Sequence, residues 1–506
     1  MARRARTLMV FGTSSDAGKS TLVTALCRAF AQRGIDVAPF KAQNMARNAY
    51  VCEDGGEIGV AQAVQAIAAG KTPCVDHNPI LLKPEPGMVS QLIVHGRALG
   101  SRHFRELHAE RAPLHEAIKS SLERLRQNHE LILIEGAGSP AEVNLQDRDL
   151  ANLACARMAD AEILLVGDID RGGVFASLVG TLELLPKDLL PRVRGLIINK
   201  LRGDKDLLKS GVEFLESRTG VPVLGIVPHL GDLELPAEDS LALARYRKSQ
   251  RASLDEIEIA VVDAPCLANF EDVLPVTGEP GVRLRLTHVG RELLEADLVI
   301  LLGSKSTVHD LEFLREKRLD RALRERAERG APILAICGGA QMLGERIDDP
   351  HGIESERPST DALGLLPLAT RYAREKSTRR VSGTLVPKDY AGARVEGFEL
   401  HFGRLERTSR FDESGAGAAL ELDDGRSEGC ALGSIIATMV HRVLDHPSAR
   451  DALLKQLRAR RGLVAPTPAP PQASPYDQLA ARVTSSLDFE KLAAIALGAG
   501  LPRISG

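Results

Sequence analysis

A glycine-rich loop near the N-terminus carries the strongest chemical signal in the sequence. It reads GTSSDAGKS, and its candidate ligand-binding residues are Gly12, Thr13, Ser15, Gly18, Lys19 and Ser20. The loop follows a short apolar run typical of a buried strand and precedes a helical pattern. Backbone N–H groups in such a loop bind phosphate oxygens, the lysine reaches the β- and γ-phosphates, and the serine hydroxyl binds Mg²⁺. The spacing therefore predicts a site for ATP and Mg²⁺.

Polar side chains that follow other predicted strands are candidates to complete this site. Glu135 ends the run LILIE, and Glu57 lies in DGGEIGVAQ. Both are candidate Mg²⁺ ligands, because Mg²⁺ usually takes one or two carboxylates in addition to phosphate and water. Lys41, in APFKAQN, is a candidate contact for a γ-phosphate or a substrate carboxylate, with an ordinary surface lysine as the alternative. Asp168 and Asp170 either line the site or cap the turn in which they lie.

A second chemical signal lies at Cys337, in PILAICGGAQMLG. A buried strand runs directly into the cysteine, and two glycines and a helical pattern follow. This arrangement is typical of a nucleophile elbow, in which the helix N-terminus favours the thiolate. Such a thiolate can attack the γ-amide of glutamine, form a thioester and release ammonia.

The cysteine requires a base, and the sequence offers two histidines. His441 follows the apolar run IIATMV, whereas His401 alternates with Glu399 in GFELHFGR. Spacing alone does not choose between them. Gly303, at the end of another predicted strand, is a candidate source of backbone donors for an oxyanion.

The elements that must position these residues follow an α/β pattern. The segments 7–11, 131–134, 163–167, 195–198 and 223–227 are predicted as buried parallel strands, with helices such as 20–33 between them. A second series of predicted strands covers 258–262, 297–302 and 332–336. The polar stretch 346–361 is interpreted as an irregular loop, and the proline-rich stretch 464–475 as an extended linker before a short helical tail.

Composition narrows the class of protein. The chain has 506 residues, 44% hydrophobic and 26% charged, with a formal net charge of −3. These values predict two or three globular domains and give no electrostatic reason to expect nucleic acid or an anionic membrane as partner. The seven scattered cysteines form no CxxC pair, so a reducing, cytoplasmic location is expected.

The sequence resembles the cobyric acid synthase family, the glutamine-hydrolysing ligases of cobalamin biosynthesis. The segments that carry the resemblance are GTSSDAGKS, APFKAQNMARNA, DGGEIGVAQAVQAIAAG, NPILLKP, IEGAGSPAEVNLQDRD, VGDIDRGGVFASL, INKLRGD, LGSKSTVHDLEFLR, AICGGAQMLG and GFELHFGR, from about residue 8 to about 455. The phosphate loop is one residue longer than the usual GxxxxGK[ST], a form seen in dethiobiotin synthetase-like ATPases. The resemblance implies an N-terminal P-loop parallel-sheet domain of that type and a C-terminal class I glutamine amidotransferase-like α/β domain. The predicted domain ranges are 1–245 and 256–463, with 464–506 as linker and tail.

The resemblance also implies a substrate and residue roles. Four peripheral carboxylates (b, d, e and g) of adenosylcobyrinic acid a,c-diamide would be amidated through acyl phosphates to give adenosylcobyric acid. Cys337 would be the glutaminase nucleophile and His441 its partner, and Asn199 would lie near the adenine. The corrinoid and glutamine are the implied partners, and self-association into a homo-oligomer is left open.

Two features of the glutaminase half concern the residues around His441. The family lacks the third, acidic member of the usual triad, and the segment HRVLD agrees, because no glutamate stands two places after His441. The family usually has glycine after the histidine, in a segment like GTYVHG, where this chain has Met439 and Arg442 in ATMVHR. The arginine is expected either to crowd the thiolate or to lower the pKa of the histidine through its charge.

Three alternative functions share features with this sequence. Cobyrinic acid a,c-diamide synthase has the same architecture, but the PFKAQN and SPAE segments argue against it. A non-catalytic P-loop switch ATPase would need neither the cysteine elbow nor a second domain. A ligase that amidates cell-wall precursors has no segment in its favour.

Overall fold

The chain folds into two compact units. The computed structural model describes residues 4–85, 89–103, 105–106, 111–230, 253–464 and 473–498, together with 243, 246, 247 and 249. The first unit comprises residues 1–46, 56–236 and 471–506, and the second unit comprises 47–55 and 237–470. This division differs from the predicted one in two places. Residues 47–55 belong to the second unit, and the C-terminal tail belongs to the first unit. The predicted boundary at 240–256 and the proline-rich stretch 464–475 lie largely outside the described residues.

A six-stranded parallel sheet forms the centre of the first unit. The strands of this unit are β1 (Arg6–Gly12), β2 (Val37–Phe40), β3 (Gln43–Met45), β4 (Glu57–Gly59), β5 (Ile80–Glu85), β6 (Val89–Val94), β7 (Arg97–His103), β8 (Leu131–Glu135), β9 (Glu162–Asp168), β10 (Val193–Leu201) and β11 (Val223–Pro228). The central sheet has the order β11-β10-β9-β1-β8-β2, and β3, β5, β6 and β7 form a second sheet. The apolar runs become strands because both faces of the central sheet are covered, which is typical of a parallel α/β sheet.

Helices of the first unit follow the strands. They are α1 (Lys19–Ala31), α2 (Val60–Ala68), α3 (Arg111–Asn128), α4 (Leu153–Ala159), α5 (Val174–Leu184) and α6 (Lys209–Thr219), with short 3₁₀ turns at Val75–His77, Gln146–Arg148, Leu190–Arg192 and Lys205–Leu208. Helix α1 buries Leu22, Leu26 and Phe30, which recur every four residues. Gly34, just beyond its end, has a φ of 75°, the left-handed conformation that favours glycine after a helix.

A second parallel sheet forms the centre of the second unit. The strands of this unit are β12 (Ile257–Val262), β13 (Leu267–Ala268), β14 (Val282–Thr287), β15 (Leu298–Leu301), β16 (Gly303–Ser304), β17 (Ile333–Ile336), β18 (Arg346–Asp348), β19 (Ser359–Asp361), β20 (Leu368–Leu385), β21 (Arg394–Arg407), β22 (Leu420–Leu422), β23 (Ser427–Glu428), β24 (Cys430–Leu432), β25 (Ile435–Thr438) and β26 (Val440–His441), besides a short strand at Ala49–Val51. The main sheet has the order β14-β12-β15-β17-β25-β24, with the edge strand β24 antiparallel to β25. A further sheet includes β20, β21 and β26, so it carries His441.

Helices of the second unit are α7 (Leu274–Thr277), α8 (Gly290–Glu295), α9 (Thr307–Glu316), α10 (Leu319–Glu328), α11 (Gly338–Leu343) and α12 (Pro447–Arg461), with 3₁₀ turns at Phe270–Val273 and Lys388–Tyr390. Strand β17 runs directly through Cys337 into α11. The stretch 346–361, predicted as an irregular loop, begins with β18 and ends with β19, which pair with each other.

The C-terminal tail is part of the first unit. Its helices α13 (Pro475–Thr484) and α14 (Phe489–Leu497) bury Leu479, Val483 and Leu492 in the same core cluster as residues of α1. Asp477 accepts hydrogen bonds from Arg28 (2.6 Å) and from Gln32 (2.7 Å). The tail therefore covers the helix that begins at the phosphate loop.

Within the part of the chain that the structure describes, no helix is both long and apolar enough to cross a membrane. All seven cysteine positions are described, and none of the seven forms a disulfide bond.

Candidate functional sites

The phosphate loop joins β1 to α1 in the first unit. Lys19 Nζ donates to the carbonyl oxygens of Ser14 (2.9 Å) and Gly138 (2.8 Å), and the N–H of Thr13 donates to Val166 O (2.9 Å). Gly18 has a φ of 96°, and a Cβ there would lie 2.0 Å from the amide nitrogen of Asn199. A side chain at this position would therefore meet both backbone strain and a clash.

Asn199 has a contact with the loop itself. Its amide nitrogen donates to Ala17 O at 2.9 Å. Ser15 is exposed on the loop, whereas Gly12 is buried, and a Cβ on Gly12 would lie 2.8 Å from Lys19 Nζ. The candidate residues of the loop thus form one connected structure, with Asn199 fixing its base.

Glu135 brings the other parts of the nucleotide site together. Its Oε1 accepts hydrogen bonds from Ser20 Oγ (2.8 Å) and from Lys41 Nζ (2.7 Å), and its Oε2 accepts one from Gln65 Nε2 (2.5 Å). The side chain is 1% exposed. Burial alone would raise the pKa of Glu135, but the charge of Lys41 and these hydrogen bonds lower it, so the carboxylate is ionised at neutral pH.

These oxygens suit a magnesium ion. The Ser20 hydroxyl and the Glu135 carboxylate lie 2.8 Å apart at the carboxyl end of β8, and oxygen donors of this kind are the ligands that Mg²⁺ prefers. The amide oxygen of Gln65 is buried beside them and has no hydrogen-bond partner among the described residues. The residues present therefore fit the ion.

The remaining carboxylates predicted for this region have other partners. Glu57 is 1% exposed and accepts a hydrogen bond from Lys83 Nζ (2.6 Å), so it lies in a second buried ion pair. Asp168 accepts from Lys200 Nζ (2.9 Å) and from the N–H of Asp170 (2.9 Å). Asp170 pairs with the exposed Arg202 at 2.7 Å. Of the two alternatives for Asp168, these contacts favour the capped turn.

Cys337 lies in a strained elbow in the second unit. Its φ is 52° and its ψ is −109°, a conformation that non-glycine residues rarely adopt. A Cβ on Gly338 would lie 2.7 Å from Ser304 N, and one on Gly339 would lie 2.2 Å from Leu301 O. Both glycines are therefore needed for the helix to pack this closely against β15 and β16. The observed geometry is that of a nucleophile elbow.

His441 is the histidine that meets the cysteine. Cys337 is one of the groups that raise the pKa of His441, and the His441 ring stacks on Phe398, with ring centroids 5.4 Å apart. A Cβ on Gly303 would lie 3.1 Å from Cε1 of His441 and 3.8 Å from Cβ of Cys337, so Gly303 adjoins both groups. His401 instead has Nδ1 2.7 Å from Gly403 O, and burial lowers its pKa to about 4. The geometry thus separates the two histidines that spacing left open.

A carboxylate that sequence reasoning missed lies against His441. Asp272 Oδ2 is 2.7 Å from His441 Nδ1, and Asp272 Oδ1 accepts the backbone N–H of Arg442 at 2.8 Å. Burial alone would lower the pKa of His441, but its interactions with Asp272 and Cys337 raise it to about 10. The usual acid two places after the histidine is absent, as expected, but another carboxylate occupies a position beside the ring. The acid comes from the 3₁₀ turn Phe270–Val273 rather than from the residues after the histidine.

Arg442 pairs its guanidinium with a carboxylate three residues further along the chain. Its φ of 65° explains why glycine suits this position, and its Nε donates to Asp445 Oδ2 at 2.7 Å. The net pKa of His441 is raised, with Asp272 and Cys337 as the groups that raise it, so these groups outweigh any lowering by the Arg442 charge. Met439 is buried, and its N–H donates to Glu428 Oε1 at 2.7 Å.

Comparisons with known proteins match both units. A family model described as the CobQ/CobB/MinD/ParA nucleotide binding domain matches residues 8–242, and one described as the CobB/CobQ-like glutamine amidotransferase domain matches residues 258–449. The chain is similar to a protein named cobyric acid synthase from Sorangium cellulosum (48% identical; 96% of this chain and 97% of that one covered). It is likewise similar to the cobyric acid synthase of Moorella thermoacetica (45% identical; 97% of each chain covered). A solved structure of PurLQS from Thermotoga maritima is 17% identical and covers 40% of this chain and 99% of its own, with a TM-score of 0.32, too low to carry an argument.

Proposed function

We propose that this chain, which belongs to the cobyric acid synthase family, amidates the b, d, e and g carboxylates of adenosylcobyrinic acid a,c-diamide to give adenosylcobyric acid. The chain is a glutamine-dependent ligase of cobalamin biosynthesis with a P-loop nucleotide-binding domain and a glutamine amidotransferase domain. The proposal concerns which carboxylates react and how the two sites perform the chemistry.

In the glutaminase reaction, the Cys337 thiolate attacks the γ-amide carbon of glutamine and forms a C–S bond. The C–N bond then breaks, and the His441 imidazolium gives its proton to the leaving nitrogen, which departs as ammonia. Water, deprotonated by His441, next hydrolyses the thioester to glutamate and regenerates the thiol. The position of both side chains beside Gly303 supports these roles.

In the ligase reaction, a corrinoid carboxylate oxygen attacks the γ-phosphorus of ATP, and ADP leaves. Ammonia then attacks the acyl phosphate, and the amide forms as phosphate departs. Lys19 and the loop N–H groups bind the phosphates, and Lys41 offers its ammonium to the transferred phosphoryl group. Magnesium, held by Ser20 and Glu135, would neutralise phosphate charge.

The observation that carries the proposal is the meeting of Ser20 and Lys41 on one carboxylate oxygen of Glu135, at distances of 2.8 and 2.7 Å, beside the phosphate loop. A switch ATPase needs the loop but no second cation at its metal-binding carboxylate. A lysine there suits a reaction in which a phosphoryl group passes to a second anion, the substrate carboxylate.

Mass spectrometry of the corrinoid tests the proposal. The wild-type protein is incubated with adenosylcobyrinic acid a,c-diamide, ATP and Mg²⁺, with either glutamine or ammonium as nitrogen source. Stepwise conversion of four carboxylates to amides is expected with both sources. Unchanged corrinoid with both sources, in folded protein that binds ATP, would refute the substrate assignment.

Two variants separate the sites. Cys337→Ser should lose amidation with glutamine and keep it with ammonium. Lys19→Ala should lose amidation with either source, because the phosphates lose their cation. Ligation retained by Lys19→Ala would contradict the role of the loop.

A further inference from the structure

We propose that Asp272 is the positioning residue of the glutaminase site, which holds His441 in the tautomer and orientation that deprotonate Cys337. The inference rests on the proposed role of Cys337 as glutaminase nucleophile. It assigns the third member of the site to a carboxylate 169 residues before the histidine in the sequence.

Both carboxylate oxygens of Asp272 contact His441 or the residue that follows it. Oδ2 lies 2.7 Å from His441 Nδ1, and Oδ1 accepts the N–H of Arg442 at 2.8 Å. The aspartate is 0% exposed, so water does not compete for these contacts. Because Arg442 is in the left-handed conformation, the second bond also fixes the backbone turn that follows the histidine.

The orientation of the imidazole follows from these contacts. With Nδ1–H donated to a carboxylate, the nitrogen that remains for the thiol is Nε2, and in the neutral ring it is an acceptor. The thiol proton can therefore move to Nε2, and the resulting imidazolium is stabilised by the buried carboxylate. The charge of the Asp272 carboxylate then keeps the proton on the His441 imidazolium until the leaving nitrogen accepts it.

A separate set of contacts holds the turn that carries Asp272. Asn269, at the start of the turn, has a φ of 56°, and its N–H donates to Asn48 Oδ1 at 2.8 Å. The Asn48 amide nitrogen donates to Glu271 Oε1 at 2.8 Å. The neighbouring carboxylate of Glu271 thus serves the turn, while that of Asp272 serves the histidine.

This difference provides a matched pair of variants. In Asp272→Asn, the amide oxygen can still accept the Arg442 N–H, but the amide nitrogen then donates to Nδ1 and imposes the wrong tautomer. In Glu271→Gln, the amide oxygen can still accept from Asn48. Both variants exchange one buried carboxylate for an amide of the same shape in the same turn.

The first measurement is steady-state glutamate release. For Asp272→Asn we expect kcat to fall by about 10²- to 10⁴-fold, while KM for glutamine and the rate of amidation with ammonium stay close to wild type. The remaining rate should rise with pH, as direct ionisation of the thiol replaces the base. Glu271→Gln should keep the wild-type pH profile. A kcat within about threefold of wild type for Asp272→Asn, with an unchanged pH profile, would overturn the proposal.

The second measurement does not need the ligase substrate. The rate of Cys337 alkylation by iodoacetamide is followed against pH through the modified peptide, which distinguishes it from the other cysteines. The midpoint should move upward by about one pH unit or more in Asp272→Asn and stay in place in Glu271→Gln. An unmoved midpoint overturns the positioning role, whereas wild-type protein that releases no glutamate at all would count against the proposed glutaminase instead.

Discussion

Glu428 offers a stability prediction whose size can be worked out from the structure. The residue is 8% exposed, and its carboxylate accepts hydrogen bonds from Thr438 Oγ1 (2.5 Å) and from the N–H of Met439 (2.7 Å). These two donors immediately precede the strand that carries His441. Burial raises the pKa of Glu428 from 4.5 to about 7, although these hydrogen bonds lower it. Below pH 4.5 the group is protonated in both folded and unfolded chains, so its contribution to stability is fully present there.

Between pH 4.5 and about 7 the unfolded chain releases this proton and the folded one keeps it, so stability falls as the pH rises. At about 1.4 kcal/mol per pKa unit, the shift corresponds to about 3 kcal/mol lost across this range. Glu428→Gln removes the titration. The free energy of unfolding of this variant, minus that of the wild type, should therefore increase by about 2.5 kcal/mol from pH 5 to pH 8, because the unfolded chain is already largely ionised at pH 5.

Urea unfolding followed by circular dichroism at pH 5, 6, 7 and 8 measures this difference. Using the difference between variants cancels the titration of the other carboxylates. Glu413→Gln, at an exposed position of the same unit, is the control and should show no trend with pH. A difference that stays constant with pH for Glu428→Gln would refute the assignment of a raised pKa to this carboxylate.

Three further predictions concern other parts of the chain. Lys41→Met should destabilise the first unit by about 3–5 kcal/mol in thermal unfolding, because it leaves the buried Glu135 carboxylate without its cation. Adding Glu135→Gln to this variant should restore its stability but not its amidation of the corrinoid. Leu479→Ala, at a position 0% exposed in the tail, should cost about 2–5 kcal/mol in urea unfolding, whereas Leu207→Ala, at 80% exposure, should cost under about 0.5 kcal/mol. Equal effects of the two would contradict the packing of the tail. Arg442→Gly should leave the rate of glutamate release within about twofold, since the guanidinium is paired with Asp445. A tenfold loss would show that the arginine acts in catalysis.

Local patterns made much of the fold predictable from the sequence. The elbow at Cys337 and the loop before α1 each consist of a strand, a turn and a helix that are contiguous in the chain, so their residue types report the geometry directly. The apolar runs at 131–134 and 258–262 are short and bounded by polar residues, and they appear as β8 and β12. By contrast, β20 spans 18 residues with many polar side chains, and no apolar run marks it in the sequence.

Contacts between distant segments were not predictable in the same way. The usual position of the acid is two places after the histidine, whereas Asp272 contacts the His441 ring from 169 residues upstream. The only local signal was a carboxylate in NFED, soon after a predicted strand, and many carboxylates share that setting. The direction of the Arg442 side chain depends on Asp445 and on a positive φ, neither of which residue types alone specify.

The assignment of residues 471–506 to the first unit has a consequence for the order of events during synthesis. Domains generally fold as they leave the ribosome, beginning with the N-terminal one. Here the unit that is made first lacks α13 and α14 until the last part of the chain emerges, so the part of α1 that packs against the tail stays uncovered until then. All segments of the second unit are synthesised before the tail of the first unit, because the second unit ends at residue 470. In this protein the glutaminase unit can therefore complete its fold before the nucleotide-binding unit, although its main sheet is made later.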